Sequence, residues 1–217
     1  MSTVDTFIVS DDNPLYFTSD LHFFHKRIIE FTGRPTTLEN LNEWIIGQCV
    51  ATIPTSATTL HLGDMFFSCT NEQAVEVLKK LPGDWWFILG NHDNEGKLRT
   101  VVDTVNKECG TNHRVLGWYH KLLVKQEPEV KGEKWIKKQL ILCHFPIEDW
   151  DSKHYGSAMI HGHVHGGTSS HDGEGLRKIP NRFDVGIDNS HTFTPFSFDD
   201  VRKILRKTRE RDEQNSC

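Results

Sequence analysis

A unit of strand, polar loop and helix occurs three times in the first half of this chain, and it constrains the fold more than any other feature. The pattern predicts strands over residues 15–19, 58–62 and 85–89. The third is wholly apolar, as expected for a buried central strand. Helices are predicted over residues 26–31, 37–49, 71–81 and 98–109. Strands that alternate with helices indicate a largely parallel sheet.

The second half of the chain has a different pattern. It predicts a hairpin with strands over residues 120–125 and 135–143, further strands over 157–161 and 182–187, and a helix over 199–207. Residues 206–217 are charged and are expected to be a frayed tail. No repeat or linker interrupts the sequence, so we expect one domain over residues 1–217, with its motifs within 15–190.

Each of five predicted strands is followed by side chains that can bind a metal ion. They are Asp20 and His22, Asp64, Asn91 and His92, His144, and His163 and His165. Ligands of open α/β sheets bind beyond the carboxyl ends of the strands, so these five loops are expected to meet. The donors are oxygen and imidazole, which favours a divalent cation site over a structural cysteine zinc site. The donors are too many for one ion, so we expect two ions, with Asp64 as the best candidate for a bridging carboxylate.

The densest part of this set is I-H-G-H-V-H at residues 160–165. In an extended strand, residues two apart point to the same face, so alternate histidines indicate a metal site. A histidine-rich surface loop is the alternative for this stretch taken alone. His161 is the extra member of the cluster, and we expect it to have a structural or outer role.

Taken together, the motifs resemble the signature of the calcineurin-like metallophosphoesterases in order, spacing and placement. The matching segments are D-L-H at 20–22, G-D at 63–64, G-N-H-D at 90–93, H at 144 and G-H-V-H at 162–165. The resemblance implies an α/β fold in which two mixed β-sheets pack as a sandwich flanked by helices. It also implies hydrolysis of a phosphoester by a hydroxide that two divalent metal ions activate.

The resemblance further assigns roles to single residues. Asp20, His22, Asp64 and His165 would hold the first metal ion, and Asp64, Asn91, His144 and His163 the second. His92 would protonate the leaving oxygen as a general acid, oriented by Asp93. Taken singly, each strand-end Asp or Asn could instead be a turn or helix-cap residue.

The kind of phosphoester is less strongly indicated. Branches that bind a terminal phosphate carry G-D-x-x-x-R-G, whereas residues 63–69 here read G-D-M-F-F-S-C, without the arginine. An arginine clamp favours a doubly charged phosphate, so its absence favours a diester. The opening D-x-H-F-x-H and the G-R-P turn at 33–35 resemble a small bacterial and phage branch. His25, Arg27 and Arg34 could contact substrate from that side, with a surface role as the alternative.

We therefore expect a phosphodiesterase that acts on a nucleotide or a nucleic-acid end. A broad-specificity phosphomonoesterase is the alternative, and a metal-stabilised binding module without turnover is a third reading. Aromatic residues near the predicted loops could stack a base, although such residues more often belong to a core or rim. They are Phe23, Phe24, Phe66, Phe67, Trp150 and Tyr155.

Charge, hydropathy and cysteine content limit the kinds of binding partner and the cellular compartment that we expect. A net charge of −5 argues against stable binding of long duplex nucleic acid. No apolar run is long enough to cross a membrane, and the N-terminal residues are too polar for a signal peptide. Five scattered cysteines without C-x-x-C spacing favour the reducing cytoplasm. Manganese is the favoured metal, with iron, zinc and nickel as alternatives. Nothing in the sequence indicates the oligomeric state.

Overall fold

Two five-stranded β-sheets form the frame of the molecule in a computed structural model, which describes residues 4–128, 134–167 and 179–215. The strands are β1 (Asp5–Val9), β2 (Leu15–Thr18), β3 (Thr58–His61), β4 (Asp84–Ile88), β5 (Arg114–Gly117), β6 (Tyr119–Gln126), β7 (Ile136–Cys143), β8 (Ala158–His161), β9 (Arg182–Asp184) and β10 (Phe196–Ser197). The helices are α1 (Ile28–Thr32), α2 (Leu41–Thr52), α3 (Asn71–Lys80), α4 (Glu95–Cys109) and α5 (Phe198–Asn215).

Both sheets are mixed. One has the order β10-β2-β3-β4-β5, in which β2 to β5 run parallel and β10 is antiparallel. The other has the order β1-β6-β7-β8-β9, in which only the β6–β7 pair is antiparallel. The expected α/β sandwich of two mixed sheets is therefore confirmed. Residues 129–133 of the predicted hairpin turn lie outside the described residues.

The apolar core lies in two main layers. Between the sheets, Phe17, Leu60 and Ile88 of the first sheet pack in one cluster with Leu122 and Ile160 of the second. The other face of the first sheet packs against α2, α3 and α4. Each large apolar side chain removed from water in this way contributes roughly 1.5–3 kcal/mol. The two layers hold the carboxyl ends of the parallel strands in fixed positions.

Caps define the helix that follows β3. Thr70 Oγ1 accepts a hydrogen bond from the backbone N–H of Gln73, and the Gln73 side chain accepts one from the N–H of Thr70. This reciprocal capping box starts α3 at Asn71, close to the predicted boundary. Because α3 begins at a fixed point, the loop between β3 and α3 has a fixed length and path.

Several boundaries differ from the sequence predictions. β1, β5 and β10 were not predicted, since β1 lies in a polar N-terminal stretch and the other two are short. β9 ends at Asp184, three residues before the predicted end. α5 continues to Asn215, eight residues beyond the predicted end of the helix at residue 207. No described helix is both long and apolar enough to cross a bilayer.

His113, the residue directly before β5, is buried. Its Nδ1 accepts a hydrogen bond of 2.9 Å from the backbone N–H of Trp85. Burial lowers the pKa of His113 from 6.5 to about 4. The folded state therefore holds this ring neutral at a pH where the unfolded chain already binds a proton.

We expect His113→Asn to flatten the acid dependence of stability. The unfolded chain takes up a proton below pH 6.5 and the folded protein only near pH 4, so folding is progressively destabilised across that interval. The contribution of this one group is on the order of 3 kcal/mol. An asparagine oxygen can still accept from Trp85, so thermal melting of both proteins from pH 7 to 4 isolates the titration. If the melting temperatures of the two proteins fall equally between pH 7 and 4, the assignment is wrong.

Candidate metal centre

The five loops predicted to meet are joined through their backbones at one end of the sandwich. The N–H of Asp20 donates to the carbonyl of Gly63, and the N–H of His22 donates to the carbonyl of Asp64. The second sheet joins this group because the N–H of His163 donates to the Asp20 carboxylate at 3.0 and 3.2 Å. The ends of β2, β3 and β4 therefore face those of β7 and β8 across one site.

Five of the predicted metal ligands have left-handed backbone conformations. Their φ angles are 58° at Asp20, 52° at His22, 60° at Asp64, 74° at His163 and 46° at His165. Non-glycine residues rarely adopt these values, each costs of order 1 kcal/mol, and they cluster at functional sites. The sharp turns also correct one argument: β8 ends at His161, so His163 and His165 are not on one face of a strand.

Two glycines allow the loops to approach closely. A Cβ atom at Gly90 would overlap the carboxylate and backbone nitrogen of Asp64. A Cβ atom at Gly162 would overlap Ser19 and the carboxylate of Asp20. The absence of a side chain at each position is therefore what lets a neighbouring loop place its carboxylate in the site.

One group of donors consists of Asp20, His22 and His165. Asp20 Oδ1 lies 4.0 Å from His22 Nε2 and 3.9 Å from His165 Nε2. Asp20 and His22 are buried, and neither ring nitrogen of His22 has a hydrogen-bond partner among the described residues. A buried imidazole without partners is costly in a protein interior, and a cation would supply the missing interaction.

A second group surrounds His144. Its Nδ1 lies 2.8 Å from the carbonyl oxygen of Leu62, to which it can donate, so Nε2 faces the site. That nitrogen lies 3.3 Å from Asp64 Oδ2 and 3.0 Å from Asn91 Oδ1. Asp64 Oδ2 is also 3.6 Å from His22 Nε2, so this oxygen stands between the two groups. Asp20 belongs to both sets of possible ligands as well.

The spacing of these atoms fits metal coordination. Ligand atoms about 2.1 Å from one ion lie roughly 3 to 4 Å from each other. The separations from 3.0 to 4.0 Å around Asp20, Asp64 and His144 fall within that interval. The His163 ring lies 5.1 Å from the His144 ring, and its nitrogens are outside both closely spaced groups of described residues.

The charges of the site also indicate a cation. Burial raises the pKa of Asp20 and lowers the pKa of His22 well below its usual value. Burial opposes ionisation of Asp64 and His144 as well, but their mutual attraction outweighs it, lowering the pKa of Asp64 and raising that of His144 to about 9. Against burial, the carboxylates of Asp188 and Asp20 also raise the pKa of His165. Without a metal, a proton on His144 thus supplies positive charge between these acceptors. Metal binding would displace that proton.

His92 lies at the open side of the site. Its side chain is 42% exposed, and its Nε2 is 4.0 Å from Asp64 Oδ2. Its backbone N–H donates to Asp64 Oδ1 at 2.9 Å. The ring is 5.5 Å from that of His22 and 5.3 Å from that of Phe67. His92 is therefore exposed to an incoming molecule while its backbone is fixed to a buried carboxylate.

Asp93 has a different role from the one the resemblance implied. Its carboxylate accepts hydrogen bonds from the backbone N–H groups of Asp64, Met65 and Gly90 at 2.8, 3.0 and 2.9 Å. No hydrogen bond joins it to the His92 ring within the described parts of the chain. Asp93 thus holds the loops after β3 and β4 together and does not orient the His92 ring directly.

Arg34 corrects a second expectation. Its side chain is fully buried, and it makes two hydrogen bonds of 2.8 and 2.9 Å to Asp188. The same guanidinium donates to the backbone carbonyls of Leu21 and Asp20. It is therefore committed to the protein interior and does not reach a substrate phosphate.

His25 and Arg27 remain near the surface on that side. The His25 ring lies 4.1 Å from the Phe67 ring, and its Nδ1 accepts from the N–H of Arg27. Arg27 is exposed, pairs with Glu30 at 3.0 Å and lies over the Phe31 ring. A substrate role for either stays a prediction.

His161 is buried, and its Nδ1 lies 2.8 Å from the carbonyl oxygen of Gly162, which fits a structural role.

Two carboxylates of the site were missed from the sequence. Asp188 Oδ2 lies 2.7 Å from His165 Nδ1, and Asp184 accepts from the backbone N–H groups of Gly166 and Gly186. The sequence F-D-V-G-I-D contains a signal for both residues. Asp184 ends a strand and Asp188 follows it, just as the predicted ligands follow their strands. The sequence predicts a strand that continues to residue 187, whereas the strand ends at Asp184, so the two aspartates are not recognised as strand-end residues.

Comparison with known proteins gives the same family as the motifs. The family described as calcineurin-like phosphoesterase matches residues 14–212. The gene 66 protein of Mycobacterium phage L5 is 27% identical over 168 residues, which cover 69% of this chain and 76% of that protein. An uncharacterised protein of Methanocaldococcus jannaschii is 33% identical over 91 residues, 41% of this chain and 52% of that protein. The chain therefore matches only about half the length of the archaeal relative.

A solved structure has a similar fold. The crystal structure of a protein of unknown function from Aquifex aeolicus aligns with a TM-score of 0.61 at 20% identity. The alignment covers 88% of this chain and 99% of that one. At this identity the likeness concerns the fold alone.

Proposed function

This chain belongs to the calcineurin-like phosphoesterase family, and on that premise we propose that it is a metal-dependent phosphodiesterase acting on nucleotides or nucleic-acid ends. The observation that carries the proposal is the pair of donor groups around Asp20 and Asp64, whose buried atoms are spaced as ligands. Asp20, His22, Asp64 and His165 would hold one ion. Asp64, Asn91, His144 and His163 would hold the other.

Two divalent ions held there, with manganese favoured, would lower the pKa of a bound water and neutralise charge on the phosphate. The chain's own residues set the conditions for this chemistry. The Oδ2 atom of Asp64 lies between His22 and His144, which supports its role as the shared ligand. Asn91 adds a neutral oxygen, which limits the negative charge that faces an anionic substrate.

His92 would donate a proton to the leaving oxygen. Its Nε2 lies on the exposed side of Asp64, where a phosphoester bound to the ligands would place its leaving group. The hydrogen bond from the His92 N–H to Asp64 ties the position of the acid to that of the carboxylate. Asp93 supports the arrangement indirectly, by binding the backbone of both loops.

The lack of an arginine at the expected position after Asp64 supports a diester over a monoester. Ser68 stands where the G-D-x-x-x-R-G pattern places an arginine. Of the two arginines considered for substrate contact, Arg34 is buried against Asp188, and Arg27 is paired with Glu30 at the surface. A doubly charged terminal phosphate would gain little from such a site, whereas a singly charged diester needs no clamp.

Aromatic residues at the rim support a nucleotide substrate. Phe145 is 39% exposed and its ring lies 4.8 Å from that of His163, while Phe67 contacts both His25 and His92 on the other side. Exposed aromatic rings can stack on bases. Of the aromatic residues considered from the sequence, Phe23, Phe66 and Trp150 are buried in the protein and are unavailable for stacking.

Two further expectations belong to this proposal. The cysteines Cys49, Cys69, Cys109 and Cys143 are unpaired, which supports a reducing, cytoplasmic setting. The net charge of −5 supports action on short substrates over stable binding of long duplex DNA.

Initial rates on two nitrophenyl substrates test the proposal. We expect manganese-loaded protein to cleave bis-p-nitrophenyl phosphate faster than p-nitrophenyl phosphate, and a chelator to abolish both rates. Protein carrying Asp64→Asn, purified in parallel, measures any contaminating phosphatase. Faster cleavage of the monoester would favour the broad-specificity phosphomonoesterase instead. No cleavage of either, with metal bound, would favour the binding module.

A further inference from the structure

Asp188 determines which nitrogen of His165 faces the metal centre. Its Oδ2 lies 2.7 Å from His165 Nδ1, which can donate its proton to the carboxylate. His165 Nε2 is then left as a lone-pair donor on the side of Asp20, 3.9 Å from Oδ1. Metal-binding histidines characteristically use such an outer carboxylate to fix the tautomer and the ring.

Arg34 fixes Asp188 in turn. Both side chains are fully buried, and the guanidinium binds both carboxylate oxygens, at 2.8 Å from Nε and 2.9 Å from Nη2. A buried charge pair adds little net stability, because both charges lose their contacts with water. Stability alone therefore does not account for this pair. Here the geometry is bidentate, which restricts the orientation of the carboxylate as well as its charge.

The same guanidinium reaches the first metal-binding loop. Nη1 donates to the carbonyl of Leu21 at 2.8 Å, and Nη2 donates to the carbonyl of Asp20 at 2.6 Å. Asp20 and His22 flank this point with left-handed backbones, so the carbonyls there lie outside any regular hydrogen-bond ladder. Arg34 thus binds the backbone of one ligand, Asp20, and of Leu21 next to it, and it reaches another ligand, His165, through Asp188.

We infer that Arg34 and Asp188 are a positioning pair for the metal ion bound by Asp20, His22 and His165, and that Asp188 acts on this ion alone, because its partner His165 belongs only to the first donor group. The inference rests on the proposed metal centre. The described hydrogen bonds of the pair to other residues lead to His165 and to the backbone carbonyls of Asp20 and Leu21. The second group is held by other contacts, from Leu62 to His144 and from Asp93 to the backbone of Asp64.

Manganese binding by the full-length, chelator-stripped protein tests the inference. Manganese chloride is added, and unbound ion is measured by its room-temperature electron paramagnetic resonance signal. Wild type is expected to bind two ions. Asp188→Asn is expected to keep one ion with unchanged affinity and to bind the other roughly 10 to 100 times more weakly. This readout does not depend on turnover.

A double variant tests the inference even if Asp188→Asn fails to fold. Arg34→Met with Asp188→Leu removes both charges, so no unpaired buried ion remains. It also removes the acceptor for His165, so the same selective loss of one ion is expected. Val101→Ala, which opens a cavity under α4, controls for destabilisation alone and should still bind two ions.

The outcomes separate the inference from the proposed function. Two ions bound with unchanged affinity in both Asp188 variants would overturn the inference and leave the metal centre standing. Equal weakening of both ions in these variants would also overturn it, because the pair would then act on the whole site. A wild-type protein that binds no manganese, zinc or iron would overturn the proposed metal centre itself.

Discussion

Replacing Asp64 by Asn should lower kcat on a diester by on the order of 10³-fold or more while the protein stays folded. Asp64 Oδ1 accepts the backbone N–H of His92, and Oδ2 faces His22 Nε2 and His144 Nε2 at 3.6 and 3.3 Å. An asparagine that keeps its oxygen on His92 must turn its NH₂ group toward those two nitrogens. A donor would then occupy the position of the shared ligand, and one negative charge would be lost.

The measurement is the steady-state rate of manganese-supplemented protein, with circular dichroism to check the fold. Asp103→Asn is the matched control, since it makes the same change at an exposed position of α4. The control should retain the wild-type rate. Activity of Asp64→Asn within tenfold of wild type would rule out Asp64 as the shared ligand.

His92→Ala should lower the rate by about 10² to 10⁴-fold for a substrate with an alcohol leaving group. An alkoxide is a poor leaving group unless it receives a proton, and His92 is the exposed imidazole beside Asp64. Nitrophenolate departs without a proton, so the rate on bis-p-nitrophenyl phosphate should fall far less. The difference between the two substrates separates proton donation from metal binding.

A ligand to the metal would behave differently, because its loss slows both substrates alike. Equal falls for the alcohol and the nitrophenol esters would therefore contradict the role of His92 as general acid. His154→Ala, at an exposed turn, controls for the loss of an imidazole elsewhere. Manganese stoichiometry should be unchanged in both variants.

The sequence could predict the strand ends because two independent signals agree there. An apolar run such as Trp86 to Ile88 identifies a buried strand, and polar donors such as Asn91 directly after it identify a ligand edge. The two mixed sheets came from the resemblance and are confirmed. The alternation of strands and helices alone indicated only a largely parallel sheet. In the structure, β2 to β5 form the parallel part of one sheet.

The remaining features depend on contacts that no local pattern encodes. Arg34 lies in a G-R-P turn that is typical of a surface, and only the fold brings it to Asp188. The left-handed conformations of Asp20 and His22 are imposed by neighbouring loops, because neither residue type demands them. Asp93 binds backbone N–H groups from two loops, a role that a motif read as a catalytic dyad does not indicate.

The contacts that close the metal centre span most of the chain. Asp20 and His163 are separated by 143 residues, and Arg34 and Asp188 by 154. A chain still being synthesised lacks the second partners of these contacts until residues 163 and 188 have left the ribosome. We therefore expect nascent chains, and chains truncated before residue 163, to lack hydrolytic activity, because their metal centre cannot close.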